Sequence, residues 1–279
     1  MTFPILKKYR ILRKICSKFA FTVYEAEGVV DRLKYFIKVL NENLAGNKTY
    51  ISHFLNSARL TSLLNSKEIC KIYTYDNENG LYYIVSEPVS FKSLSIYIHE
   101  EYPSSLQKVT TIVTQIASVL RNAHIKCVLH GLLNPSCIYL KGDKLKIDDF
   151  GFSWLIPRIR LEDAEAMYLS YYVAPEVYFN DQVMDGRADI YSLGAIFLQL
   201  LTEDFTFNGK VDTEIKNKYL LSSIPVVKKL FPENADLLEQ IFHKSLNHEP
   251  NNRYLNFKQF IADMEKLYPE VPISVSDRV

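Results

Sequence analysis

The sequence has little of what would tie it to a membrane, a metal or a nucleic acid. A bilayer-spanning helix needs about 18 or more consecutive apolar residues. The longest apolar run, IYSLGAIFLQLL at 190–201, is shorter, is broken by Ser192 and Gln199, and reads as a core helix. The opening MTFPILKKYRILRK lacks the layout of a signal peptide. Cys16, Cys70, Cys127 and Cys137 are widely spaced, with no CxxC and no His–Cys cluster, so reduced thiols in a cytoplasmic protein are expected rather than disulfides or metal ligands. His53, His99, His124, His243 and His248 also lack ligand-like spacing. No dense basic run occurs, and 33 basic against 32 acidic residues leave a formal net charge of +1. Binding to nucleic acid or to an anionic membrane by bulk electrostatics is therefore not expected.

What is present is a chain of 279 residues, 48% hydrophobic, with 19 Tyr and 16 Phe. That is enough to bury a substantial core, and the aromatics suit thick packing better than a base-stacking surface. Residues 9–40 alternate apolar and polar, as in TVYEAEGVV and KYFIKVL, and predict two or three antiparallel strands with a turn near Gly28 or Asp31. TYISHFLNSARLTSLLNS at 49–66 has helical spacing, and two further strands are expected around ICKIYTYD and LYYIVSEPV. From about residue 92 the period becomes helical, with a long amphipathic helix at 105–126, a buried one at 189–202 and further helices across 212–267. The class is α+β, without internal repeats, and VPISVSDRV at the end has the composition of a linker.

A set of short signals follows in a fixed order. Ile37-Lys38 lies on a strand, a helix follows, and an extended segment ends at Glu87-Pro88-Val89. After the long helix come HGLLNPSCIYL (130–140), Asp149-Phe150-Gly151, Ala174-Pro175-Glu176, Asp189 opening the buried helix, and Glu249-Pro250-Asn251-Asn252-Arg253. In this order the chain resembles the eukaryotic-type protein kinase family over about residues 9–265, with the compact spacing of bacterial serine/threonine kinases. The resemblance implies one bilobal domain over 1–279: a small N-terminal antiparallel-sheet lobe with one helix (about 9–89), a larger, mainly helical C-terminal lobe (about 90–267) and a tail at 268–279.

In that family a glycine-rich turn covers the ATP phosphates, a strand lysine paired to a helix glutamate grips them, a loop aspartate takes the substrate proton, and an asparagine and the Asp of Asp-Phe-Gly hold magnesium. Aligned on Val23, the three glycine positions hold Cys16, Lys18 and Phe21. Lys18 could reach a phosphate, and solvation is its expected state. Lys38 is kept, but its helix partner is Ser57, so Lys38 is expected to turn toward Asp149. His130 is kept, whereas Gly131 and Leu132 replace Arg and Asp, Asn134 replaces a lysine, and Cys137 replaces the metal-binding asparagine. Leucine accepts no proton, and a neutral thiol suits Mg²⁺ poorly. Where the family encloses adenine with small or aliphatic residues, this chain has Phe36 and Tyr139 beside a small Ser86, and the two rings are expected to fill the slot near Glu87 and Val89.

The structural markers His130, Phe150, Gly151, Glu176, Asp189 and Arg253 are intact. Trp154, Tyr168, Ser170, Tyr171 and Tyr172 lie in the segment before Ala174; Tyr172 matches a packing residue, and the segment could also be a phosphorylation or docking site. The expectation from sequence is a pseudokinase: not an enzyme, without catalytic residues, with no cofactor expected and ATP and Mg²⁺ binding weak or absent (Asp149 being the sole candidate ligand). It would act as a scaffold or allosteric regulator that binds a protein such as an active kinase or a neighbouring regulatory domain. A nucleotide-binding switch and an atypical transferase using Lys38 and Asp149 are the alternatives.

Overall fold

The computed structural model describes residues 3–153, 169–178, 184–203 and 221–268. Three strands, β1 (Tyr9–Ser17), β2 (Phe21–Gly28) and β3 (Lys34–Leu40), pair antiparallel in sequence. With β4 (Ile72–Glu78) and β5 (Leu81–Ser86) they form one sheet in the order β1-β2-β3-β5-β4. The two-residue period of β3 sorts its side chains. Ile37 and Val39 join Leu6, Ala26, Tyr83 and Val85 on the outer face, while Phe36 and Lys38 face the cleft between the lobes.

A short helix α1 (Glu42–Ala45) precedes α2 (Lys48–Ser62), which Asn47 caps by accepting from the Thr49 amide. Its buried residues Phe54, Ser57, Ala58 and Thr61 follow the i, i+3, i+4, i+7 spacing of a single buried face. The long helix read from sequence is α4 (Leu106–Ile125), reached through α3 (Leu94–Glu101) and capped by Ser105. A small sheet joins β6 (Lys92–Ser93), just before α3, to β7 (Ile138–Lys141) and β8 (Lys144–Ile147), which follow the loop 130–137.

Helix α5 (Gly186–Thr202) is buried at every residue from Ala188 to Leu201, which explains why its sequence is apolar nearly all round. Helices α6 (Ile224–Leu230), α7 (Ala235–Ser245) and α8 (Phe257–Leu267) complete the C-terminal core around Phe197, Phe242, Tyr254 and Phe260. The helical reading of 212–220 falls outside the described residues. Among the described residues no helix is long and apolar enough to cross a membrane.

Candidate functional site

Four charged side chains meet under the sheet. Lys38, 3% exposed, donates from Nζ to Asp148 Oδ1 at 2.7 Å and to Asp149 Oδ1 at 2.6 Å. Lys18 donates from Nζ to the other Asp149 oxygen, Oδ2, at 2.5 Å. Burial opposes ionisation of Asp149, yet Lys18 and Lys38 outweigh it and hold the carboxyl well below the usual carboxylate range. Burial likewise disfavours the Lys38 charge, and Asp148 and Asp149 more than compensate, raising its pKa. Asp149 sits in the left-handed region at φ 63°, sparsely populated by non-glycine residues, while its amide bonds Asp148 Oδ1 at 2.8 Å. Lys38 therefore makes the expected turn toward Asp149. Asp148, adjacent to it in KIDDFG, is a second partner that the reading of single motif positions passed over.

Lys18 is not a solvated surface lysine, contrary to the expectation. The β1–β2 turn closes tightly, with the Lys18 amide bonding Phe21 O at 2.8 Å, and Asn41 Nδ2 donates to Lys18 O at 3.0 Å and Phe19 O at 3.1 Å. That fastened turn aims Lys18 inward. Phe21, 2% exposed, packs between Phe54 and Phe152, and its ring lies 5.7 Å from Lys18 Nζ and 5.6 Å from Lys38 Nζ. The aromatic in place of a third glycine thus fills the phosphate side of the cleft. What remains there is a cavity of about 70 Å³ between Lys18, Phe21, Leu132, Asn134 and Asp149. Pockets for drug-sized ligands run to about 300–1,000 Å³.

Asp189, buried at the start of α5, holds the loop below by accepting from the His130 amide, the Gly131 amide and the His124 ring, each at 2.8 Å. Burial lowers the His130 pKa, so its neutral ring donates from Nε2 to Asp148 O at 2.9 Å and packs 4.8 Å from the Phe150 ring. Gly131 has φ +77° and a Cβ there would lie 2.6 Å from Ser153 Cβ, so this backbone excludes the family's arginine. Leu132 is buried in an apolar cluster with Phe152, Leu169 and Val173. Asn134 is spent within the loop, donating to Leu132 O and accepting from the Ser136 amide. Ser57 donates to Gly151 O at 2.7 Å and His53 O at 2.9 Å, linking α2 to the Asp-Phe-Gly turn without charge.

On the adenine side Phe36 pairs across the sheet with Ser86, as the small residue allows, and packs against the Phe21 cluster. Burial raises the Tyr139 pKa, and its hydroxyl lies within electrostatic reach of Lys18, Asp148 and Asp149. The two rings make no ring–ring contact with each other among the described residues: Phe36 lies against the Phe21 cluster and Tyr139 beside the charge cluster. Glu87 accepts from the Lys71 amide at 2.7 Å and from Lys146 at 2.5 Å, and Val89 is half-buried.

The family's metal does not fit this site. Ammonium groups take both Asp149 oxygens, and burial pushes the Cys137 thiol up to about 12, so it stays protonated and bonds Asn134 O at 2.9 Å.

Further from the cleft, Arg253 forks onto Glu176 with bonds of 2.7 and 2.8 Å. Tyr172 is a buried packing residue, donating its hydroxyl to Gln199 at 2.6 Å, and Ser170 and Tyr171 are buried with it. Trp154 and Tyr168 lie outside the described residues.

Residues 11–269 match the protein kinase domain family. The chain is 28% identical over 263 residues to the serine/threonine-protein kinase PrkC of Bacillus subtilis, covering 94% of this chain and 40% of that protein. It is 28% identical over 261 residues to a probable serine/threonine-protein kinase PknB of Lactococcus lactis, covering 92% and 41% respectively. The chain thus spans about 40% of the length of these curated relatives. In fold it is similar to the crystal structure of the Mycobacterium tuberculosis PknI kinase domain, with a TM-score of 0.70 at 20% identity over 95% of this chain and 99% of that one. The expectation that the chain is not an enzyme is overturned by these matches. Proteins named as kinases align along 94% of its length, and the domain they share is matched from residue 11 to residue 269. Ser57, Leu132 and Cys137 depart from the family's pattern, while the markers His130, Phe150, Asp189 and the Glu176–Arg253 pair are in place among the described residues.

Proposed function

This chain belongs to the protein kinase domain family, and on that premise we propose that it is a slow serine/threonine-directed phosphoryl transferase that takes its phosphate from ATP. The observation that carries the reading is the buried contact of Lys38 with Asp148 and Asp149, which keeps a cation and two carboxylates at the centre of the cleft. Phosphoryl transfer depends chiefly on positioning and on neutralising charge spread over the phosphate oxygens. Lys38 and Lys18 supply two positive charges within bonding distance of one carboxylate, and their remaining N–H donors would face the triphosphate. The tip of the β1–β2 hairpin must lift for this, because the present cavity of about 70 Å³ is too small. Leu132 takes no proton, and lost general-base help typically lowers a rate by ~10²–10⁴-fold. Slow turnover follows.

The test is transfer of labelled γ-phosphate from ATP to the chain itself or to a basic serine- and threonine-containing protein. Slow transfer that Lys38→Met and Asp149→Asn both abolish is the expected result. Wild-type incorporation no greater than that of Lys38→Met would sink the proposal.

The closed hairpin favours a second reading, in which the nucleotide acts as a switch and the output is binding of a protein, an active kinase or a neighbouring domain. Lifting Lys18 away from Asp149 on nucleotide binding would change the surface offered by the hairpin. Near-neutral charge and thiols without disulfides suit a cytoplasmic setting without nucleic acid in either case. A thermal shift with ATP in the absence of any transfer would select this reading over the first.

A further inference from the structure

We infer that Lys18 is the resident cation of the Asp149 site, standing where the family places a divalent metal, so that a triphosphate is taken metal-free. The inference deepens the reading above, resting on it for the nucleotide. Its basis is geometric. Lys18 Nζ lies 2.5 Å from Asp149 Oδ2 while Lys38 Nζ lies 2.6 Å from Oδ1, so each oxygen already faces a positive charge that would repel a metal.

The position of Lys18 is built rather than casual. Its amide closes the hairpin turn onto Phe21 O, its carbonyl accepts from Asn41, and its ammonium lies over the Phe21 ring. Only 22% of the side chain is exposed, against 64% for Lys34 on the same sheet.

Charge leads to the same conclusion. Lys18, Lys38, Asp148 and Asp149 sum to zero, so a dication added beside them would face two ammonium groups across a few ångström with no net negative charge to draw it. Mg²⁺ is normally held by one or two carboxylates together with substrate phosphates, and it demands near-octahedral geometry. The other family ligand position offers only the Cys137 thiol, bonded to Asn134 O. Ser57 completes the arrangement: without a carboxylate on α2 to claim it, Lys38 turns fully onto the two aspartates. As the hairpin lifts, the Lys18 ammonium can turn another of its three N–H donors to a phosphate while one keeps Asp149 Oδ2.

The experiment measures Mn²⁺ binding by electron paramagnetic resonance, with and without a non-hydrolysable ATP analogue, for wild type, Lys18→Ala, Lys18→Met and each combined with Asp149→Asn. In parallel, the thermal shift produced by the analogue is compared in EDTA and in Mg²⁺. For wild type no Mn²⁺ is expected whose binding Asp149→Asn removes, and the shift should be equal in EDTA and Mg²⁺. The Lys18 variants should gain about one Mn²⁺ in the presence of the analogue, lost again on adding Asp149→Asn.

Binding of Mn²⁺ to wild type that Asp149→Asn removes overturns the inference. So does failure of both Lys18 variants to gain a metal while their circular dichroism and melting remain native-like. Should the variants fail to fold, the wild-type Mn²⁺ measurement decides. An absence of phosphoryl transfer together with these expected results would remove the transferase reading and leave Lys18 as the resident cation. Metal binding to wild type would remove the inference whatever the transfer assay gives.

Discussion

The ring of Phe21 lies 5.2 Å from the ring of Phe152, with their planes inclined at 52°, and this contact fastens the hairpin tip to the residue following Asp149-Phe150-Gly151. A turn that in this fold covers phosphate is here anchored to the floor of the cleft by an apolar plug. Phe21→Ala should destabilise the domain by about 3–5 kcal/mol, the usual cost of emptying a buried aromatic site. It should also free the hairpin, so that an ATP-induced rise in melting temperature grows relative to wild type. A double-mutant cycle with Phe152→Ala should give a coupling of about 0.5–1.5 kcal/mol. Loss of stability without any larger nucleotide shift would mean that the plug does not limit access.

The ion cluster gives a pH dependence of defined sign. Asp149 is more acidic folded than unfolded, so its contribution is present above the unfolded carboxyl value near 3.9 and is lost as pH falls through the lower folded value. Lys38 and Lys18 are raised, so theirs is present below the unfolded value near 10.4 and is lost as pH rises through the higher folded values. The stability difference between wild type and the Lys38→Met/Asp149→Asn double variant should therefore be flat from about pH 5 to 9 and shrink on both sides. Urea unfolding at several pH values measures it, and a difference that varied steadily across the neutral range would contradict the cluster.

The elements of the sheet and the long helices were legible because each carries a clean period: Phe54, Ser57, Ala58 and Thr61 on α2, and the unbroken apolar run of α5. So was the meeting of Lys38 with Asp149, since removing the helix carboxylate leaves the ammonium one obvious partner. Lys18 and Phe21 were harder to read. The inward course of Lys18 depends on Asn41 bonding the turn carbonyls from 23 residues away, which no local pattern displays. Phe21 read only as a missing glycine, although an apolar aromatic at a turn is itself a sign of burial. The separate surroundings of Phe36 and Tyr139 were not legible either, because facing positions do not fix ring directions.

Thiol reactivity should divide the cysteines sharply. Cys127 is exposed just beyond α4, whereas burial pushes Cys137 up to about 12 and raises Cys70 as well. At pH 8 a thiol of that pKa is ionised in roughly one molecule in ten thousand, and thiolate is the reacting form. An aromatic disulfide reagent should label Cys127 fast, in a phase that Cys127→Ser removes, and should reach Cys70 and Cys137 only on unfolding. Fast labelling of Cys137 in the native state would show that the loop bond to Asn134 O is not kept in solution.

The Arg253–Glu176 fork is buried on both sides, with the arginine side chain fully covered, and Arg253 also donates to Asn247 O, His248 O and Arg187 O. Removing one partner of such a pair leaves a buried charge, typically costing 3–5 kcal/mol at about room temperature. Arg253→Met should show a loss of this order in chemical denaturation. Arg253→Lys should recover little, since an ammonium cannot reproduce the planar fork and its additional bonds.

Leu132→Asp tests whether the missing base is the main brake on transfer. A carboxylate there would be well placed in sequence, but Leu132 is 9% exposed among Phe152, Leu169 and Val173. Burial in that setting raises a carboxyl pKa, so the new group would be held largely neutral and would accept no proton. The domain should lose about 1–3 kcal/mol for an unsatisfied buried polar group. The transfer rate should rise by much less than the ~10²–10⁴-fold a working general base provides. Combining Leu132→Asp with Phe21→Ala, which loosens the same apolar cluster, should raise the rate further than either change alone. If Leu132→Asp alone restored the full factor, the apolar packing around position 132 would be irrelevant to the chemistry, and the closed hairpin would not be what limits turnover.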